Sequence, residues 1–251
     1  MQNDPTGSKV SSITKNGGGA WSRYRALLYG DMPWHRVLWA ELVMILFSSL
    51  GGAPGLWLRS RCYRTLLGAV GANTVFGRNG TIRHHGKIKV GANVIVDDHC
   101  LIDAKGSNNR GICLGDNVYV GRNTSIYCKN GDITVGDRVN ISSLCTIMSA
   151  NSITIGEDTV IGAYSYLLSG GEYDYRSEVP YAQQSGMNSR GPLSVGKNCW
   201  LGTRVTLLDA ASVGDHCVIG AGSLVTRPIP DHSLALGTPA KVIRTFPRGE
   251  S

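Results

Sequence analysis

Glu172, Tyr173 and Asp174 place three titratable side chains in succession within the string SGGEYDY, residues 169–175. A carboxylate can take a proton from a hydroxyl, and a phenol can give one. An unperturbed Glu titrates at about 4.3 and Tyr at about 10. Either therefore needs its surroundings to tune it for proton transfer near neutrality, as burial does by raising a carboxyl. The six histidines, His35, His84, His85, His99, His216 and His232, are scattered, and each reads as solvated or structural. Seven cysteines, an odd number with no CxxC pair, argue against zinc and disulfides and for a reducing cytoplasm.

What must position these residues is a six-residue beat. Aliphatics recur as Val90, Val96, Ile102; Leu114, Val120, Ile126; Val135, Ile141, Ile147; Ile155, Ile161, Leu167; Val195, Leu201, Leu207; and Val213, Ile219, Val225. Most are followed by glycine. A period of six fits neither an amphipathic helix nor hairpin alternation. It fits a three-sided parallel β-coil with one hexapeptide per side. Six coils stacked about 4.8 Å apart make a prism roughly 30 Å long. With each aliphatic as position one, Cys100, Cys145, Cys199 and Cys217 all stand at position five, among small residues. Position five is thus a tight inward site, where cysteine serves as a small hydrophobe. Small insertions fall at 105–112 and 128–133, and the one long loop is 169–192. A solenoid expels inserted residues at a corner, where loops often bind ligands.

Residues 1–33 read as a mostly disordered segment, Gly/Ser-rich at its start and without a cleavable signal peptide. Residues 34–70 read as two short helices that cap the first coil, lie in a membrane interface, or both. The apolar stretch is shorter than the roughly 20 residues needed to span a bilayer. The solenoid domain is set at 71–230 and the tail at 231–251. The net charge of +7 is concentrated at the N-terminus, where residues 1–70 hold eight Lys/Arg against three Asp/Glu. A basic stripe with interleaved aromatics, as nucleic acid would need, is missing from the repeats.

The repeats, the loop after the fourth triplet and the tail string AGSLVTRPIPDHSLALGTPAKVIR together resemble the hexapeptide-repeat acyltransferases. The resemblance covers roughly residues 70–246 and points to the sugar and polysaccharide O-acetyltransferases. It implies an all-β solenoid, the left-handed parallel β-helix, with a helical cap. It also implies a homotrimer with sites between subunits, acetyl-CoA as acyl donor, and a sugar or glycan acceptor. It implies no metal. Zinc enzymes of this fold resembling γ-class carbonic anhydrases typically carry a His-x4-His pair that this chain lacks. Carried over by position, Trp200 lines the acceptor pocket. Thr203 and Ala221 line the CoA arm, Thr226 and Arg227 lie near its nucleotide end, and Lys241 and Arg244 meet its phosphates. Family members keep a catalytic histidine at the base of the long loop. Counting from Ile155 puts Glu172 there, and a one-residue slip puts Tyr173 there. Glu172 is the expected base, with Asp174 orienting it. Two other readings are a catalytically inactive trimeric scaffold and an adaptor held at the inner face of the membrane through residues 34–68.

Overall fold

The computed structural model describes residues 19–184 and 188–247. Each position of the hexapeptide has a physical task. Position one enters the core, as with Val135, Ile141 and Ile147, which are essentially inaccessible. Burying each such side chain is worth about 1.5–3 kcal/mol. Position two is glycine where the next coil presses closest: a Cβ on Gly156 would lie 2.5 Å from the carbonyl carbon of Gly196. Position three is often an aspartate that accepts an amide of the preceding coil. Ala92 N donates to Asp116 (2.7 Å), and Asp116 N to Asp137 (2.8 Å). Position four turns the corner in the left-handed region, frequently at asparagine (Asn93 φ 55°, Asn117 φ 57°, Asn198 φ 49°). Asn tolerates that region better than most residues. Position five faces inward, and Cys100, Cys145, Cys199 and Cys217 are all buried there.

Stacked coils pair in parallel. Val135 sits beside Ile155, and Ile155 beside Val195, in the first sheet. Ile141, Ile161 and Leu201 form the matching row of the second sheet. Ile147, Leu167 and Leu207 do so in the third. The three sheets contain seven, nine and seven strands. The result is a parallel β-solenoid of hexapeptide repeats, the architecture of the left-handed β-helix, with a helical N-terminal region.

The array is longer than the six expected triplets. A further coil, beginning at Ala69, carries Val70, Phe76 and Ile82 on the same beat. An eighth begins with Ile229 beside Val213 and Ala235 beside Ile219. Within the tail, Ser233–Gly237 turns back on Ala240–Thr245 as an antiparallel hairpin that extends the second sheet.

Three helices precede the coils: α1 (Ala20–Leu28), α2 (Trp34–Phe47) and α3 (Gly52–Cys62). Helix α1 lies inside the segment 1–33 expected to lack order; residues 1–18 are outside the described residues. The core-facing residues Val37, Ala40 and Val43 of α2 join the solenoid core. Tyr63, just after α3, packs on Phe76 with ring centroids 5.3 Å apart. Arg59 of α3 is buried and fastens the cap to the coil. Its Nε donates to the carbonyl of Phe76 (2.8 Å) and its Nη1 to that of Phe47 (3.1 Å). None of the described helices is long and apolar enough to cross a membrane.

A titratable residue is sealed under this cap. His85 is 1% exposed, stacks on Tyr29 (5.6 Å between centroids) and, among the described residues, has no hydrogen-bond partner on either ring nitrogen. Burial pushes its pKa down to about 4. His84 and Arg36 push the same way, against Glu41 and Asp103. An unfolded His titrates near 6.5, so below that pH the unfolded chain binds a proton that the folded chain refuses. Stability is therefore full above about pH 6.5 and falls as pH drops towards 4, by on the order of 3 kcal/mol. His85→Phe keeps a ring against Tyr29 and removes the proton site. Urea denaturation near pH 7 and near pH 4.5 is expected to show a smaller loss of stability for this variant than for the parent. Equal losses would remove His85 from the account.

Candidate active site

The third sheet ends each coil at a corner leading back to the first sheet, and the long loop leaves the prism at that corner. The strand Tyr166–Ser169 enters it, and Leu193–Val195 resumes the first sheet. Gly170 and Gly171 make the exit with φ of +88° and +89°, a region open to glycine. Glu172 follows at once and is held in two ways. Its amide donates to the carbonyl of Asn188 (3.1 Å), closing the loop at its base. Its Oε1 lies 2.9 Å from Nε of Arg190.

Beneath that pair sits Asp209, 2% exposed, on the next coil. It accepts hydrogen bonds from the amides of Gly170 and Arg190 and from the Ser189 hydroxyl (2.9 Å). Arg190 Nη2 also reaches the Asp209 carbonyl (3.2 Å). Both ends of the loop are thus tied to one buried carboxylate, and Arg190 links that anchor to Glu172. Sequence reasoning missed both Asp209 and Arg190. The signal for Asp209 was present in the repeat. Position three on the third side is held by Ala104, Cys128, Ser149 and Ser169 in the four preceding coils, all buried and small. An aspartate in that column has to be satisfied by something, and here the loop supplies it.

The neighbours of Glu172 are placed differently from the expectation. The Asp174 carboxylate caps its own turn by accepting the Arg176 amide (2.9 Å), and its backbone pairs with Gln184. The group that contacts Glu172 is Arg190, not Asp174. Tyr173 is half exposed and packs edge-on against Tyr181 (5.9 Å). The loop continues outward with Tyr175, 75% exposed, at its surface.

The remaining expected residues form a second group. Trp200 stands on the outer face of the second sheet, 60% exposed, between Val160 and Val218. Thr203 and Ala221 occupy the corner at the end of that sheet on successive coils, where Thr203 accepts the Gly222 amide (2.8 Å). Lys241 and Arg244 lie on the hairpin strand that extends the same sheet, opposite Leu236 and Leu234. Thr226 and Arg227 follow the last third-sheet strand and so share the corner of the loop, coils away from it. In a three-sided prism the corner between the third and first sheets is opposite the second sheet. One chain therefore keeps Glu172 on one side and Trp200, Thr203, Ala221, Lys241 and Arg244 on the other.

A parallel solenoid of six-residue rungs, with one long loop that carries a fixed carboxylate at its base, is a hexapeptide-repeat architecture. Comparison with known proteins agrees. The profile described as "Bacterial transferase hexapeptide (six repeats)" matches residues 193–227. A Staphylococcus aureus (strain Mu50) protein named as an acetyltransferase is 37% identical over 127 residues, 44% of this chain and 64% of that protein. Galactoside O-acetyltransferase of Escherichia coli is 32% identical over 132 residues, 52% of this chain and 62% of the enzyme. The matches thus span a little under two thirds of these relatives. Among solved structures, the Bacillus cereus N-acyltransferase AntD, crystallised with dTDP and coenzyme A, shares the fold. Its TM-score is 0.53 at 19% identity, over 76% of this chain and 90% of AntD.

Proposed function

We propose that this protein transfers an acyl group, acetyl foremost, from acyl-CoA to a hydroxyl of a sugar or polysaccharide precursor. The observation that carries the reading is Glu172, fixed by Arg190 at the base of the loop in a solenoid whose relatives are named acetyltransferases. The galactoside enzyme among them supports a sugar hydroxyl as acceptor, and coenzyme A in AntD supports the donor. Glu172 takes the proton as the hydroxyl oxygen attacks the thioester carbonyl. The tetrahedral intermediate then collapses, the C–S bond breaks, and the CoA thiolate leaves and takes up a proton. Tyr173 and Asp174 shape the loop, Trp200 packs against the acceptor, and Thr203 and Ala221 line the pantetheine arm. Lys241, Arg244, Thr226 and Arg227 hold the nucleotide end.

This division of labour requires a second copy, because base and acceptor wall lie on opposite sides of one prism. A ring of three chains brings the loop corner of each against the second-sheet side of the next. Exposed apolar residues on that side favour such contact: Ile95, Val160 and Trp200 on the sheet, and Leu144 and Tyr164 at its corner. Three 26.8 kDa chains should sediment as a particle of about 80 kDa. Incubated with acetyl-CoA and a panel of mono- and oligosaccharides, the trimer should release CoA thiol in the presence of one acceptor class, with O-acetyl sugar as product. A trimer that releases no thiol above the acceptor-free rate with any of them would support the scaffold reading instead.

A further inference from the structure

Helix α2 is apolar on nearly all sides, yet only one side is covered. Val37, Ala40 and Val43 face the core, while Trp34, Leu38, Leu42, Ile45 and Leu46 form an exposed stripe along the other side. Ile45 and Trp34 are 71% and 70% exposed. A helix hydrophobic all round is ordinarily buried, so this face lacks its cover. Trp21 of α1 and Trp57 of α3 are exposed as well, so four of the five tryptophans lie within residues 21–57. Beside Trp57 is a groove between α3 and the first coil, lined also by Ser60, Arg61, Arg64 and Asn73. The Arg61 guanidinium lies 5.7 Å from the Trp57 ring centroid, and Arg64 donates to the Gly71 carbonyl (3.0 Å).

We propose that this face docks on an anionic lipid bilayer, with α2 lying in the plane of the interface and the Arg61–Arg64 groove meeting lipid phosphates. Fourteen residues of helix reach about 21 Å, short of a roughly 30 Å hydrocarbon core, so the helix lies on the membrane rather than across it. Tryptophan with arginine at the rim of a leucine and isoleucine stripe is the chemistry of an interfacial helix. Charge selects the bilayer over a second copy of the same face. Among the described residues of the helical region the exposed cations are Arg23, Arg36, Arg61 and Arg64, against the acids Asp31 and Glu41, and Glu41 is engaged by Tyr24 and Tyr29. Two such faces would repel each other, whereas a phosphate surface complements them.

The test is co-sedimentation of the full chain with phosphatidylcholine vesicles containing or lacking phosphatidylglycerol. The parent should pellet with the anionic vesicles, with a blue shift in tryptophan emission. Leu42→Asp combined with Ile45→Asp alters only exposed side chains and should weaken binding at least tenfold. Arg61→Glu should abolish the preference for phosphatidylglycerol while leaving residual binding. No acyl-transfer rate enters these measurements, so they stand or fall apart from the proposed reaction. The inference is overturned if the folded parent stays in the supernatant with both vesicle types. It is equally overturned if the Leu42/Ile45 double variant changes the sedimenting mass of the protein and not its vesicle binding, since the face would then be a contact between copies.

Discussion

Glu172→Gln is expected to reduce kcat for acyl transfer by two to four orders of magnitude (~10²–10⁴-fold), with little change in CoA affinity. The substitution is chosen for what it preserves. A glutamine side chain has the same length and can still present a carbonyl oxygen to Nε of Arg190, which sits 2.9 Å from the native carboxylate. The backbone bond from residue 172 to Asn188 does not involve the side chain. The loop base should therefore stay closed, and the loss should report proton acceptance alone. Thermal unfolding of parent and variant should nearly coincide. Tyr173→Phe is the paired control. Its ring can keep the edge-on contact with Tyr181, and its rate should stay within a few-fold of the parent. If the Glu172→Gln enzyme turns over at the parental rate while the Tyr173→Phe enzyme is silent, the base is the tyrosine and the repeat register slips by one residue across the loop. If both keep full rate, neither residue is the base.

The register that identifies Glu172 was legible because a solenoid writes its geometry into the chain one side at a time. Val135, Ile141 and Ile147 repeat the same environment, so the same residue class recurs at the same interval. Position five could be assigned to the interior before any coordinate, since Cys145, Val139 and Thr159 share only small size. The first triplet, Val70, Phe76 and Ile82, falls at the start of the expected solenoid but outside the counted beat, because a Phe stands where the other coils carry Val, Ile or Leu. Helix α1 was hidden by the Gly-rich residues before it, and it is held by contacts beyond the helix: Tyr24 donates to Glu41, and Tyr29, just past its end, stacks on the distant His85. Arg190 was hidden because its meaning depends on the loop returning to its own base, and periodicity is silent wherever the beat is broken.

Asp209→Ala is expected to be the most damaging single change at the loop, through stability as well as rate. The carboxylate is buried, and the amides of Gly170 and Arg190 and the Ser189 hydroxyl all donate to it. Truncation leaves these donors without an acceptor. A buried unsatisfied donor costs about 1–3 kcal/mol, and water entering the vacated space recovers part of that. A net loss of about 3 kcal/mol lowers Tm by roughly 10 °C for a chain of this size. The effect on the reaction comes from geometry. Asp209 touches no substrate in the proposed mechanism; it holds both stems of the loop and, through Arg190, the position of Glu172. Catalytic groups displaced by about 1 Å can lose on the order of 10²-fold in rate. Limited proteolysis distinguishes this role from general destabilisation. Well below its Tm, the Asp209→Ala protein should be cut faster within 171–184 than the parent, while cleavage in the coils is unchanged. Asp209→Asn keeps one acceptor oxygen and should fall between the two in Tm, loop protection and kcat. Parental loop protection in the Asp209→Ala protein would mean that the loop is held by contacts other than those to the carboxylate below it.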